Sequence, residues 1–176
     1  VTIHVPAWVD GRLTPVEKIE AHRRGLRHKA ISVFLVSGDA VLLQKRAADK
    51  YHTPGLWANA CCTHPTWGET AMACAHRRLH EELGVSGLTL TPRGTVEYRT
   101  SVGNDLIEHE VVALFVGEIP RAHPIRPEPS EVAETRWMTL HDLVRDAREN
   151  SDIYTPWLRI YLEKHHDAIF GAILGG

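Results

Sequence analysis

The sequence is short of the features that would place it in several broad classes. It has three cysteines, Cys61, Cys62 and Cys74, two of them adjacent. An odd, clustered set makes a poor disulfide framework, so a reducing compartment is expected. No apolar run approaches the roughly 20 residues that span a bilayer. Twenty basic residues stand against 22 acidic ones, a formal charge of -2. That balance calls for neither nucleic acid nor an anionic membrane as partner. Val1 to Asp10 has no basic stretch leading into an apolar one, so no secretory signal is expected. Internal repeats, low-complexity tracts and long linkers are also missing. A cytoplasmic globular protein is the expectation that follows; a monomer with a small-molecule substrate is expected as well, although the sequence does not give oligomeric state.

What is there supports one compact domain over residues 1–176. The length and the 43% hydrophobic content are enough for a core without disulfides or a structural metal. Ile31 to Val36 is a short, β-branched apolar run and reads as a buried strand. Gly38-Asp39 marks a turn, with Val41 to Lys45 as the hairpin partner. Lys50 to Gly55 reads as loop and Leu56 to Ala60 as a short strand. Glu69 to Leu83 is the clearest helix, with Ala71, Ala75, Leu79 and Leu83 four apart on one stripe and Gly84 as its C-cap. Thr95 to Ser101 and Ile107 to Val116 read as strands, and Arg121 to Pro129 as an exposed loop. Trp137-Met138 closes the sheet. Thr139 and Thr155-Pro156 open two final helices. The order of elements lacks regular βαβ repetition, which predicts an α/β (α+β) sandwich rather than a doubly wound sheet.

One helix breaks a rule. Glu81 and Glu82 stand in its last turn, where carboxylates oppose the negative end of the helix dipole. Arg77 and Arg78, one turn back, offset this in part. The pair is either a solvated surface pair or one compensated by a bound cation, and a hard cation on carboxylates commonly brings a phosphate ligand. The surrounding residues favour the cation. Thr63 to Val85, THPTWGETAMACAHRRLHEELGV, resembles the Nudix box at Glu69, Arg77, Leu79, Glu81, Glu82, Gly84 and Val85. Thr63 stands where that family has glycine, and Arg78 where it has a glutamate that commonly helps bind the metals of hydrolysis. Arginine cannot ligate a cation, but it pairs with phosphate oxygens. The box therefore reads as converted from cutting a diphosphate to holding one.

Outside the box stand Trp57 to Pro65 (WANACCTHP), Glu97-Tyr98-Arg99, Ile107 to Val111 (IEHEV) and Thr155-Pro156-Trp157. In this order, from about Val9 to Leu162, they resemble the type I isopentenyl diphosphate isomerases of the Nudix superfamily. The resemblance implies a mixed β-sheet between helices. It also implies an enzyme of isoprenoid biosynthesis that interconverts isopentenyl and dimethylallyl diphosphate. Hydrolysis of a nucleoside or sugar diphosphate by a Nudix hydrolase is the rival reading.

The resemblance assigns roles by position. Cys62, two residues before His64-Pro65, is the acid and Glu110 the base, with Tyr98 as their proton partner. Trp157 would face a tertiary carbocation. Cys61 is one residue out of register and faces the other way if the segment is extended. Glu108 and Glu110 share a face of a strand while His109 faces away. With His22, His28 and His64 they form a five-ligand site suited to Mn²⁺, Zn²⁺ or Mg²⁺, nitrogen ligands favouring the first two. Five residues separate His22 from His28, where some members have six. Lys18, Arg46, Lys50 and Arg78 are the cationic contacts for the diphosphate, and a Mg²⁺ would bridge it to Glu82. His4, His52, His123 and His141 are expected to have surface or capping roles.

Overall fold

A computed structural model of the chain describes residues 1–174, with side chains through 171; Gly175 and Gly176, the end of the expected 1–176 domain, lie outside the described residues. Strands β1 (His4–Val9) and β2 (Arg12–Glu17) form an antiparallel hairpin, followed by the short helix α1 (Lys18–Arg23). Next come β3 (Arg27–Ser37), β4 (Ala40–Arg46), β5 (Trp57–Asn59), β6 (Cys61–Thr63) and helix α2 (Ala71–Leu83). Strands β7 (Leu90–Gly103), β8 (Leu106–Glu118) and β9 (Val132–Thr139) lead to helices α3 (Leu140–Glu149), α4 (Pro156–Lys164) and α5 (His166–Leu174).

The sheet is mixed. β3 pairs in parallel with β8 and antiparallel with β1, β4 and β6, so it is the central strand. A strand covered on both faces should be apolar throughout rather than alternating, and Ile31 to Val36 is buried along its length. Ile31, Val33 and Leu35 pack on one face against Leu79 and Leu83 of α2. Phe34 and Val36 pack on the other against Leu158, Tyr161 and Phe170 of α4 and α5. The expected sheet between helices is what the chain forms.

Several boundaries differ from those the sequence predicts. Helix α2 starts at Ala71, not Glu69, because Thr70 is its N-cap and accepts from the Ala73 amide at 3.2 Å. Glu69 instead accepts from the Thr66 amide at 3.0 Å and clasps Arg77 across the first two turns, at 2.7 and 2.8 Å. The single strand expected over Leu56 to Ala60 is shorter, Trp57–Asn59, and a second three-residue strand follows on a different partner, β3. The final helix breaks at His165 into α4 and α5.

The proline-rich segment after β8 has a structural task. Arg126 N donates to Leu83 O at 2.8 Å and Glu128 N donates to Glu82 O at 2.9 Å. These two bonds satisfy carbonyls that the end of α2 leaves unpaired. Gly84, at φ +65°, permits the close approach: a Cβ there would stand 3.0 Å from the Arg126 Cβ and 3.3 Å from its carbonyl oxygen.

Candidate active site

Sheet register assembles one end of the site. Tyr98, Glu110 and His28 are neighbours across β7, β8 and β3. Glu108 lies two residues along β8 from Glu110, so both carboxylates face the same side. Tyr98 joins them: its hydroxyl stands 2.8 Å from Glu108 Oε2 and 2.9 Å from Glu110 Oε2. His109 faces away, as expected, and meets Glu97 at 3.2 Å. His64, just past β6, reaches Glu110 Oε1 at 2.8 Å, and His28 Nε2 is 3.5 Å from the same oxygen. His22 comes from α1, and the shorter spacing to His28 does not displace it: the two rings lie 4.8 Å apart.

The donor atoms of His22, His28, His64 and Glu110 lie within 4.8 Å of one another, and all four residues are buried. Glu108 groups with His22 and His52 instead. This corrects the expected surface or capping role of His52, which is 2% exposed. His4 and His141 are exposed and His123 is partly so.

The chemistry of these donors fits a cation. His22 Nδ1 donates to Lys18 O and His28 Nδ1 to Leu26 O, each at 2.7 Å. Each bond fixes the tautomer whose Nε2 carries a lone pair. Those Nε2 atoms have no hydrogen-bond partner, although both are buried. A buried polar atom without a partner costs about 1–3 kcal/mol, and a metal ion supplies one. Burial pushes the imidazoles toward the neutral, metal-binding form, His22 down to about 4 with help from His28, and His64 down to about 3. Burial and the neighbouring Glu110 charge push Glu108 well above the usual carboxylate range. Burial opposes ionisation of Glu110 too, but His64 and His28 outweigh it and hold that group low.

Cys62 lines a cavity that it shares with His64, Glu108 and Glu110. Its thiol donates to Asn59 Oδ1 at 2.9 Å and accepts from Trp157 Nε1 at 3.1 Å. Burial pushes the thiol up to about 12, against the hydrogen bonds from Ser32 and Trp157, so it keeps its proton. Cys61 faces the other way, into the core beneath α2, in accord with strand alternation.

The cations gather at the other end. Lys18, Arg46, Lys50 and Arg78 line one cavity with Cys62, His64, Tyr98, Glu82, Glu108, Glu110 and Trp157. Arg78 holds Glu81 and Glu82 at 2.7 Å each and stands 3.3 Å from Glu131. Lys50 meets Glu131 at 2.6 Å. Gln44 donates to the other oxygen of Glu82 at 3.1 Å. Burial, with the nearby Lys50 and Arg78 charges, pulls Lys18 down to about 8. Arg46 and Arg78 each keep a buried Nε without a partner, a donor available to an anion. Sequence reasoning missed Glu131 and His52. Glu131 follows an irregular loop, and His52 sits inside one, where no periodicity ties a side chain to a face.

Comparison with known proteins identifies the family. The NUDIX domain model matches residues 26–158. The chain is 64% identical over 169 residues to an isopentenyl-diphosphate Delta-isomerase of Cereibacter sphaeroides, covering 96% of each chain. It is 57% identical to the isopentenyl-diphosphate Delta-isomerase of Dinoroseobacter shibae, again over 96% of each. Among solved structures, one from Deinococcus radiodurans superposes with a TM-score of 0.71 at 13% identity, covering 92% of this chain and 98% of that one. A MutT NUDIX hydrolase from Burkholderia pseudomallei gives 0.59 at 22%, covering 78% and 97%. These two share the fold; the sequence relatives match over nearly the whole chain. The chain belongs to the Nudix-domain family and, within it, to the isopentenyl-diphosphate Delta-isomerases.

Proposed function

We propose that Cys62 and Glu110 are the acid and base of an isomerase that interconverts isopentenyl and dimethylallyl diphosphate. The observation that carries this is the contrast between two buried groups lining one cavity. Burial raises the Cys62 thiol, which donates to Asn59 Oδ1, while the histidine neighbours lower the Glu110 carboxyl.

The Cys62 thiol gives its proton to the terminal methylene carbon, leaving a tertiary cation beside it. Glu110 takes a proton from the methylene carbon next to that centre on the diphosphate side, and the electron pair left behind forms the new double bond. Glu110 uses its two oxygens differently: Oε1 faces His28 and His64, and Oε2 faces the Tyr98 hydroxyl. Tyr98 thus links Oε2 to Glu108 and gives the captured proton a route away. Trp157 anchors the thiol through its indole N–H and closes the pocket around the cation. Lys18, Arg46, Lys50 and Arg78 receive the diphosphate, exchanging internal carboxylates for phosphate oxygens.

His22, His28, His64 and Glu110, with Glu108 beside them, would hold one Mn²⁺, Zn²⁺ or Mg²⁺. When bound, such an ion supplies positive charge that offsets the two buried carboxylates. Glu82 would share a Mg²⁺ with the diphosphate. With Arg78 where Nudix hydrolases commonly carry a metal-binding glutamate, the anhydride bond is held and not cut.

The test is incubation with isopentenyl diphosphate and Mg²⁺ in heavy water. Dimethylallyl diphosphate carrying deuterium in the new methyl group is the expected product. Phosphate release at a comparable rate would favour the hydrolase reading instead.

A further inference from the structure

We propose that His52 is a metal ligand, the fourth imidazole of the buried centre, acting with Glu108 to close the coordination sphere of the ion that His22, His28, His64 and Glu110 hold. The inference rests on the metal reading above and goes beyond its five donors.

Three observations carry it. The first is an unexplained close approach. His52 Nε2 lies 3.1 Å from Glu108 Oε1, yet the atom is buried and the pair does not meet hydrogen-bond geometry. A lone pair and a carboxylate oxygen at that separation repel unless something positive lies between them. Two ligands bonded at about 2.0–2.2 Å and at right angles stand about 3 Å apart, so the spacing suits adjacent ligands of one ion. The other donor contacts, 2.8 Å from His64 to Glu110 and 3.5 Å from His28 to Glu110, bracket the same value.

The second observation is orientation. His52 Nδ1 is 2.8 Å from Thr53 Oγ1. With Nδ1–H donating to that oxygen, the Nε2 lone pair points into the cluster, the same arrangement that Lys18 O and Leu26 O impose on His22 and His28. Thr53 adopts φ +46° to present its hydroxyl, a left-handed backbone that a β-branched residue rarely takes. The Arg46 guanidinium fixes the same loop by donating to His52 O at 3.1 Å.

The third is a shared atom. His22 belongs both to the group with His28, His64 and Glu110 and to the group with His52 and Glu108. Its Nε2 has one lone pair and serves one ion. The six donors do not form one group within 4.8 Å; a single ion bound at the shared His22 nitrogen would draw the two groups together, and its donors would then number four imidazoles and two carboxylates. A shell filled by side chains leaves no position for an activated water, in contrast to catalytic zinc sites, which keep one open.

The test is X-ray absorption on the protein loaded with one equivalent of Co²⁺ or Zn²⁺, counting bound imidazoles, with affinity measured by chelator competition. The expected count is four in the wild type and three in His52→Gln, with affinity lower by at least about 10–100-fold. Thr53→Ala, which leaves His52 in place but removes its orienting hydroxyl, should keep four imidazoles and weaken binding about 10-fold. A wild-type count of three, or an unchanged count in His52→Gln, overturns the assignment of His52 and leaves the other ligands standing. A wild type that binds no ion overturns the metal reading and this inference together. The wild-type count needs no variant, so the test holds even if His52→Gln does not fold.

Discussion

The two ends of the cavity solve the problem of buried charge in opposite ways. At the cation end two of the four basic groups have carboxylate partners: Arg78 has Glu81, Glu82 and Glu131, and Lys50 has Glu131. At the histidine end the donors face one another, with orphaned nitrogens on His22, His28 and His52 and two carboxylates joined only through Tyr98. One end is partly compensated by its own carboxylates, and anion binding there would be in part an exchange of partners. The other is a set of lone-pair donors that could hold an ion. The lesson is that the kind of unpartnered atom separates the two: lone pairs on imidazoles at one end, guanidinium N–H donors on Arg46 and Arg78 at the other.

The largest test of that contrast is at Glu110, proposed above both for the acid–base pair and for the ion site. Glu110→Gln should lower turnover by at least about 10²–10⁴ and weaken ion binding in the same protein, read by steady-state kinetics and chelator competition. Loss of turnover with unchanged ion binding would separate the two roles. Cys62→Ala should lower turnover by about 10²–10⁴ and leave ion binding and KM nearly unchanged. Cys61→Ala, facing the α2 core, should keep its activity and lose about 1 kcal/mol of stability to a small cavity. Equal loss of activity in the two would mean that β6 is out of register.

At the cation end Arg78→Ala should raise KM and also destabilise the protein without substrate, by roughly 3–5 kcal/mol, because Glu82 is left buried with Gln44 alone. Denaturant melts with and without inorganic diphosphate would read this. Removing the ion from the histidine end should lower stability by about 2.7 kcal/mol when the free ion had been at 100 times its Kd. Heating scans before and after chelation, with re-addition, check it. No such ion-dependent change is expected to follow from loss of the cation end.

The smallest effect lies outside both ends. The Arg77 hydrogen bonds pull Glu69 from 4.5 down to about 2. A carboxyl lowered on folding stabilises above its unfolded value and loses that contribution as pH falls through its folded one. Glu69→Gln should therefore lower the Tm at pH 7 and make little difference near pH 2. With the Arg77 side chain 36% exposed, solvent screening limits the effect to roughly 1 kcal/mol.

Much of this was legible because it obeys a period. The β3 run, the α2 stripe and the two-residue step from Glu108 to Glu110 each follow directly from strand or helix geometry, as does the opposite facing of Cys61 and Cys62. The Nudix-like spacing from Glu69 to Gly84 carried the rest of α2, apart from its first turn, where Thr70 took the cap. The β1–β2 hairpin was not read. Asp10-Gly11 is a turn signal, but Pro6 and Pro15 pair directly across the hairpin and hide the strands on either side. Helix α1 is six residues long, too short to show a stripe, yet it carries His22 and Lys18. His52 and Glu131 owe their places to tertiary contacts with residues 56 and 53 positions away, His52 with Glu108 and Glu131 with Arg78, which no local pattern encodes.

The bonds from Arg126 and Glu128 to the end of α2 have a consequence for how the chain tolerates change in length. That segment runs on into Glu131, the carboxylate between Lys50 and Arg78. It is anchored at Glu128 and ends three residues later at a counterion, so its length works as a ruler. A residue inserted between Pro120 and Ile125 would lie before the anchor and be absorbed as slack. The same insertion between Glu128 and Glu131 would move the carboxylate, leaving Lys50 without its counterion and Arg78 with one fewer, altering diphosphate affinity while the fold and the histidine end stayed as they are.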